Sequence, residues 1–291
     1  MGVRGFYHYS KKFQHSIRND KTYRIGIDSL SLLYKFHGDI EKIFNFLKPI
    51  LHHRLLFVFD GKAPESKSME IQKRKRSIDS IHEKIIKLKS LLKTDIDEQT
   101  KEILQKEIEK LEYSSWTMSY EVRKSFKDYL IKNEYTFIKS NQEADAVLID
   151  LYYANYIDIV LSSDMDFLIA ACEVVWIPEK DEIKEVVLED ILQFEEINKE
   201  QLKEAALLCG IDNTPIWDID SVCIAMNYIR HYGSIESIIL HCKDLISLPS
   251  DTFIRDIKKR YYPNKQEPFI NIKIEHIEYL DEFRPKIEGI I

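Results

Sequence analysis

The chain has 291 residues, of which 44% are hydrophobic and 31% charged, and its formal net charge is −7. That balance reads as a soluble globular protein, one large domain or a domain with an appendage. No apolar run reaches the roughly 18 residues of a membrane span, and the opening MGVRGFYHYSKK lacks the apolar core of a secretory signal.

Gly2 invites a myristoylation reading, but Phe6 stands where that motif needs Ser or Thr. Residues 22–34 predict a strand, TYRIGID, and a helix, SLSLLYKF, with Asp28 at the junction. Residues 40–52 have an amphipathic helical pattern, and His52 and His53 at its end are expected to serve as surface or capping residues. LLFVFD, residues 55–60, predicts a buried strand ending at Asp60, followed by the turn GKAP. From Ser66 to Leu111 the pattern is charged and helical. Ile71, Ile78, Ile81, Ile85, Leu88, Leu91 and Leu92 form one apolar stripe, TDID interrupts it, and Ile103, Leu104, Ile108 and Leu111 form another. This predicts a helical hairpin; a partly disordered insert is the alternative.

A helix is expected over residues 119–133 and a short strand, TFIKS, over 136–140. EADAVLIDLYYAN predicts a helix that opens with Glu143 and Asp145. IDIVLSSDMD predicts a strand followed by Asp164 and Asp166. VVWIPE and IKEVVLE are expected as edge strands, and EQLKEAALLCG as a helix ending at Gly210, just before Asp212. Alternating βα units with one long helical insert imply an α/β fold with a mainly parallel central sheet. The expected divisions are 1–65 and 119–212 for the two parts of the main domain, 66–118 for the insert, and 213–291 for a helical region with a C-terminal extension. The cysteines Cys172, Cys209, Cys223 and Cys242 form no CxxC pair and are expected as buried, reduced thiols in the cytoplasm, the nucleus or an intracellular replication site.

Seven acidic residues recur where strands end or helices begin: Asp28, Asp60, Glu143, Asp145, Asp164, Asp166 and Asp212. A single Asp in such a place is usually a cap or turn residue. Five segments of the same kind point to one crevice at the C-terminal ends of parallel strands. So many carboxylates need a counter-charge. Hard divalent cations with oxygen ligands provide it, and they suit phosphodiester chemistry. Residues 62–93 carry Lys62, Lys67, Lys73, Arg74, Lys75, Arg76, Lys84, Lys87, Lys89 and Lys93 against Glu65, Glu70, Asp79 and Glu83. Such a run is either a solvated helix face or a local attraction for a polyanion.

These motifs, in this order, resemble the flap-endonuclease or Rad2 (XPG-type) family of structure-specific 5′ nucleases, from Met1 to about Ile239. MGVRGF resembles the family's start, IDSLSLLY carries Asp28 and Tyr34, and FVFDGKAPESKSMEIQKR carries Asp60, Lys67 and Arg74. NQEADAVL and SSDMDFL match acidic motifs, with Asp145 where Glu is usual, and LLCGID supplies Asp212. The resemblance implies a PIN-like nuclease domain with a helical arch over a single-stranded 5′ flap. It implies two magnesium ions, with manganese able to substitute, held by the seven carboxylates. Asp28, Asp60 and Asp164 are then catalytic together with Lys67 and Arg74. Gly2, Tyr34 (as a base-stacking residue), Lys67, Lys73, Arg74, Lys75 and Arg76 are the expected DNA contacts. The implied activity is Mg-dependent 5′ flap endonuclease and 5′→3′ exonuclease action on branched DNA, by a monomer, in replication, repair or recombination, a viral source included. An RNA-cleaving relative and an inactive nucleic-acid-binding scaffold are the competing readings.

One stretch departs from the family. Asp218 and Asp220 in TPIWDIDSV stand where a glycine hairpin with a potassium ion would grip duplex DNA. Side chains and negative charge oppose phosphate there, so potassium is not expected and Lys258, Lys259 and Arg260 are the next basic candidates. EFRPKIEGII shows no sliding-clamp peptide, so clamp coupling is not expected.

Overall fold

The structure is a computed structural model that describes residues 3, 5–61, 68–94, 97–140, 143–210, 219 and 221–242. In chain order it begins with helix α1 (Phe6–Ser10), strand β1 (Gln14–Ser16), strand β2 (Arg24–Asp28) and helices α2 (Ser29–Lys35) and α3 (Ile40–Leu47). Strand β3 (Arg54–Phe59) precedes the long helices α4 (Ser68–Leu91) and α5 (Glu98–Ser114). Then come α6 (Tyr120–Lys132), β4 (Thr136–Lys139), α7 (Ala144–Tyr153), β5 (Ile159–Leu161) and α8 (Asp166–Ile169). Strands β6 (Val174–Glu179) and β7 (Glu182–Val187) are followed by α9 (Leu188–Glu195), α10 (Lys199–Cys209), α11 (Val222–Tyr232) and α12 (Ile235–His241).

The seven strands form one sheet in the order β1-β7-β6-β5-β2-β3-β4. β6, β5, β2, β3 and β4 pair in parallel, and β7 and β1 add antiparallel at one side. The central strands are apolar at nearly every position because both faces are covered, and side chains alternate between the faces. Ile25, Ile27, Leu55, Phe57 and Phe59 point to a layer made by α2, α3 and α6 through Leu32, Leu33, Ile43, Leu47, Phe126 and Leu130. Leu56, Val58, Ile138 and Val160 point the other way, to α7, α10 and α11. On that face Gly26 lets α7 approach closely. A Cβ there would lie 2.5 Å from Ile157 Cδ1 and 2.6 Å from Leu148 Cδ2.

β2 is flanked by β3, the next long strand in the chain, and by β5, which arrives about 130 residues later. The chain therefore reverses its direction of travel across the sheet at β2, and a crevice opens outside the C-terminal ends of β2, β3 and β5. Helices α4 and α5 lie in the chain between β3 and α6 and pack on each other, and Ile85 on one and Ile108 on the other are buried. Lys84 Nζ pairs with Glu107 Oε1 across them at 2.9 Å.

Three details differ from expectation. Strand β1 pairs antiparallel with β7, Gln14 opposite Val186 and Ser16 opposite Lys184, so neither β6 nor β7 is an edge strand. Three residues are too few to show a period of two. The helix expected over 40–52 ends at Leu47 and closes in a 3₁₀ turn, Lys48–Ile50. His53 is buried beyond that turn: its Nδ1 accepts from Tyr23 N at 3.3 Å, and its ring packs on Tyr23 and Trp176. No helix among the described residues is long and apolar enough to cross a membrane. Cys172, Cys209 and Cys242 are buried, Cys223 is half-buried, and all four are free thiols.

Candidate active site

Asp28 is the last residue of β2 and the N-cap of α2. Its Oδ1 accepts from the backbone N–H of Leu30 and of Ser31, both at 3.1 Å. Its Oδ2 accepts from Ser162 Oγ at 3.0 Å. The same Ser162 Oγ accepts from Asp164 N at 3.1 Å, and Asp164 Oδ1 accepts from Asp166 N at 3.1 Å. One hydroxyl thus couples the ends of two neighbouring strands, β2 and β5. Ser31 and Ser163 add a second tie across the same gap, Oγ to Oγ at 2.8 Å.

Asp60 is the first residue after β3. Its Oδ1 accepts from Ala144 N at 2.9 Å, at the first residue of α7. That bond brings the N-cap Glu143 and the first-turn Asp145 beside Asp60, at the positive end of the helix. Asp28 is only 9% exposed. Burial pushes its carboxyl up to about 6, the hydrogen bonds from Ser31 and Ser162 oppose this, and the charges on Asp60 and Asp164 add to it. Asp28, Asp60 and Asp164 are therefore close enough to repel one another in a poorly solvated crevice.

Among the described residues no group of three or more Asp, Glu, His or Cys side chains is already arranged to hold a metal ion. The donor chemistry nonetheless fits a hard cation: the groups at the strand ends are carboxylates, and the most buried of them carries an electrostatic penalty that a cation would relieve.

The remaining sequence candidates fall elsewhere. Tyr34 lies on α2, 50% exposed, edge-on to Trp116. Lys73, Arg74, Lys75 and Arg76 are exposed on α4. Gly2, Lys67, Asp212, Asp218, Asp220, Lys258, Lys259 and Arg260 lie outside the described residues. Two neighbours of the crevice were not singled out from sequence. Ser162 hides in a serine pair that reads as ordinary loop. Lys127 on α6 sits with its Nζ 4.7 Å from the centre of the Phe59 ring, one residue before Asp60.

Residues 134–212 match the XPG I-region, the stretch that carries Glu143, Asp145, Asp164, Asp166 and Asp212. The chain is 27% identical over 256 residues to flap endonuclease 1 of Entamoeba histolytica, covering 86% of this chain and 64% of that protein. It is 28% identical over 300 residues to flap endonuclease 1 of Sulfolobus acidocaldarius, covering 88% of this chain and 81% of that one. The chain thus spans under two thirds of the length of the Entamoeba relative. Its fold is similar to that of the catalytic core of Rad2 in complex with DNA substrate, with a TM-score of 0.57, 18% identity, and 99% and 86% of the two chains covered.

Proposed function

We propose that this chain, which belongs to the Rad2/XPG family of flap endonucleases, is a metal-dependent, structure-specific 5′ nuclease that hydrolyses phosphodiester bonds in branched DNA. The observation that carries the reading is the meeting of Asp28, Asp60 and Asp164 outside the C-terminal ends of three adjacent parallel strands. The named activities of the relatives and the DNA-bound state of the Rad2 core support the same substrate class.

Asp28, Asp60, Glu143, Asp145, Asp164, Asp166 and Asp212 would hold two magnesium or manganese ions. When bound, such ions supply an acidified water and charge compensation at the scissile phosphate. The protein's own work is orientation. Three hydrogen bonds fix the Asp28 carboxylate before any substrate arrives, and Ser162 keeps the Asp28 and Asp164 segments in step. Lys67 and Arg74 would offset charge on the phosphate as it is attacked, and Tyr34 would stack on a base beside it. The exposed basic side chains of α4 give the helical pair an affinity for the phosphates of a single strand. The protein acts as an intracellular monomer.

The deciding experiment is cleavage of end-labelled flap, nicked, gapped and four-way-junction DNA, and of a matched RNA flap, with magnesium and with EDTA. Magnesium-dependent cutting near the base of a DNA flap is expected, and Asp164→Ala should remove most of it while DNA binding persists. Preferential cutting of the RNA flap would make the chain a ribonuclease. Binding without cleavage in any metal would make it a scaffold.

A further inference from the structure

Four aromatic side chains from two distant segments meet beside α2. Tyr34 lies edge-on to Trp116, with ring centres 5.5 Å apart at 87°. His37, in the turn after α2, is parallel to Trp116 at 5.1 Å and 2°, and lies 3.9 Å from Tyr113 near the end of α5. The rings form a row, Tyr34–Trp116–His37–Tyr113, from the end of α2 to the end of α5.

Packing alone does not account for the row. Its two outer members remain 50% (Tyr34) and 65% (Tyr113) exposed. The turn that holds it is tight: His37 and Gly38 both have left-handed backbones, with φ of 51° and 75°, and a Cβ on Gly38 would lie 2.4 Å from Val122 Cγ1. The surroundings define a ligand. Asp28 begins the helix that carries Tyr34, six residues earlier or roughly 9 Å along its axis. Lys73, Arg74, Lys75 and Arg76 are exposed on α4, the partner of the helix that carries Tyr113. Exposed rings suit unpaired bases, and exposed cations on the helix packed against α5 suit the phosphates of the same strand.

We propose that Tyr34, Trp116, His37 and Tyr113 form a stacking platform for consecutive unpaired bases, which extends the single contact expected at Tyr34 onto the end of α5. The nuclease reading decides which strand is held there; the binding itself does not depend on that reading.

The test measures binding of the full chain in EDTA, by fluorescence anisotropy. One ligand is labelled oligothymidine, and the other is a chain of equal length with abasic tetrahydrofuran units, which keeps the phosphates and lacks the bases. The wild type should bind oligothymidine about tenfold more tightly, the low end of what stacking on one or two rings provides. Tyr113→Ser, at an exposed position, and Trp116→Leu should each lose most of that preference while holding the abasic chain equally well; Tyr113→Phe should keep it. Oligothymidine, and not the abasic chain, should quench tryptophan fluorescence in the wild type, and Trp116→Phe should abolish the quench. Equal binding of both ligands by the wild type would overturn the proposal. So would equal loss of both in Tyr113→Ser, which would mean that the rings only seat α5. If no substrate is ever cut, a base preference that Tyr113→Ser removes still stands as evidence for the platform.

Discussion

Replacing Asp28 by asparagine should make the metal-free protein more stable while stopping cleavage. Burial and two neighbouring carboxylates raise the Asp28 carboxyl from its ordinary 3.8 to about 6. A raised value means that the folded state holds the proton more tightly than the unfolded one. That contribution to stability is fully present below the unfolded value and is lost as pH rises through about 6. At neutral pH the charged group then costs the fold roughly 3 kcal/mol, from about two units at 1.36 kcal/mol each. Asparagine is neutral throughout and keeps an oxygen for Leu30 N and Ser31 N, but it cannot accept the Ser162 hydroxyl at the second position, which offsets about 1–2 kcal/mol. A net gain of about 1–2 kcal/mol is expected. Urea unfolding in EDTA near neutral pH measures it, and the advantage should shrink through about pH 6 and reverse at about pH 4, where the wild-type carboxyl is protonated and only the lost Ser162 bond separates the two proteins. Saturating magnesium should reverse the order, since the wild type alone keeps the complete ion site. An Asp28→Asn protein that is less stable than wild type in EDTA at neutral pH, with an unchanged denaturant slope, would refute the crowded-charge account of the crevice.

Other perturbations test the frame and the basic helix. Gly26→Ala should cost about 1–3 kcal/mol in urea unfolding, because the new Cβ would have to displace both Ile157 and Leu148. Glu185→Ala should cost about 2–3 kcal/mol: it strips Arg18 of a bidentate partner and the Trp176 indole N–H of its acceptor. That figure sits below the range for a fully buried pair because Arg18 is 37% exposed, and Glu185→Gln should recover part of the loss in thermal melts. Arg74→Ala should slow single-turnover cleavage about 10²-fold, roughly 2.7 kcal/mol, with a much smaller change in affinity. Matched losses in rate and binding would reduce Arg74 to a phosphate holder.

The parts of this fold that are legible in sequence are those whose signal is local. β2 and β3 are apolar because both faces are covered, and each stops at an acid, so Asp28 and Asp60 announce themselves. The stripe that breaks at TDID likewise marks the gap between α4 and α5. What escapes is set by pairing across the chain. β1 is three polar residues, Gln14–Ser16, whose identity as a strand comes from β7. His53 looks like the end of an amphipathic helix until Tyr23 and Trp176 close over it. Ser162 gains its role only because β5 lies beside β2, and Trp116 only because α5 ends where α2 ends.

The position of the helical pair in the chain gives it leverage on the crevice. The chain leaves the sheet at Asp60, spends residues 61–119 on α4, α5 and their connections, and returns through α6 and β4 to Glu143. The two ends of this excursion are joined again by the hydrogen bond from Ala144 N to Asp60 Oδ1. At the far side of the crevice, the Ser162 hydroxyl makes the equivalent closure between Asp28 and Asp164. The carboxylates are thus held in two sets, one tied to the helical pair and one to the β2–β5 core. Asp28 pairs with Val58 across β2 and β3, two residues before Asp60, so the sheet holds the two sets side by side against their like charge, and a shared cation would relieve that repulsion.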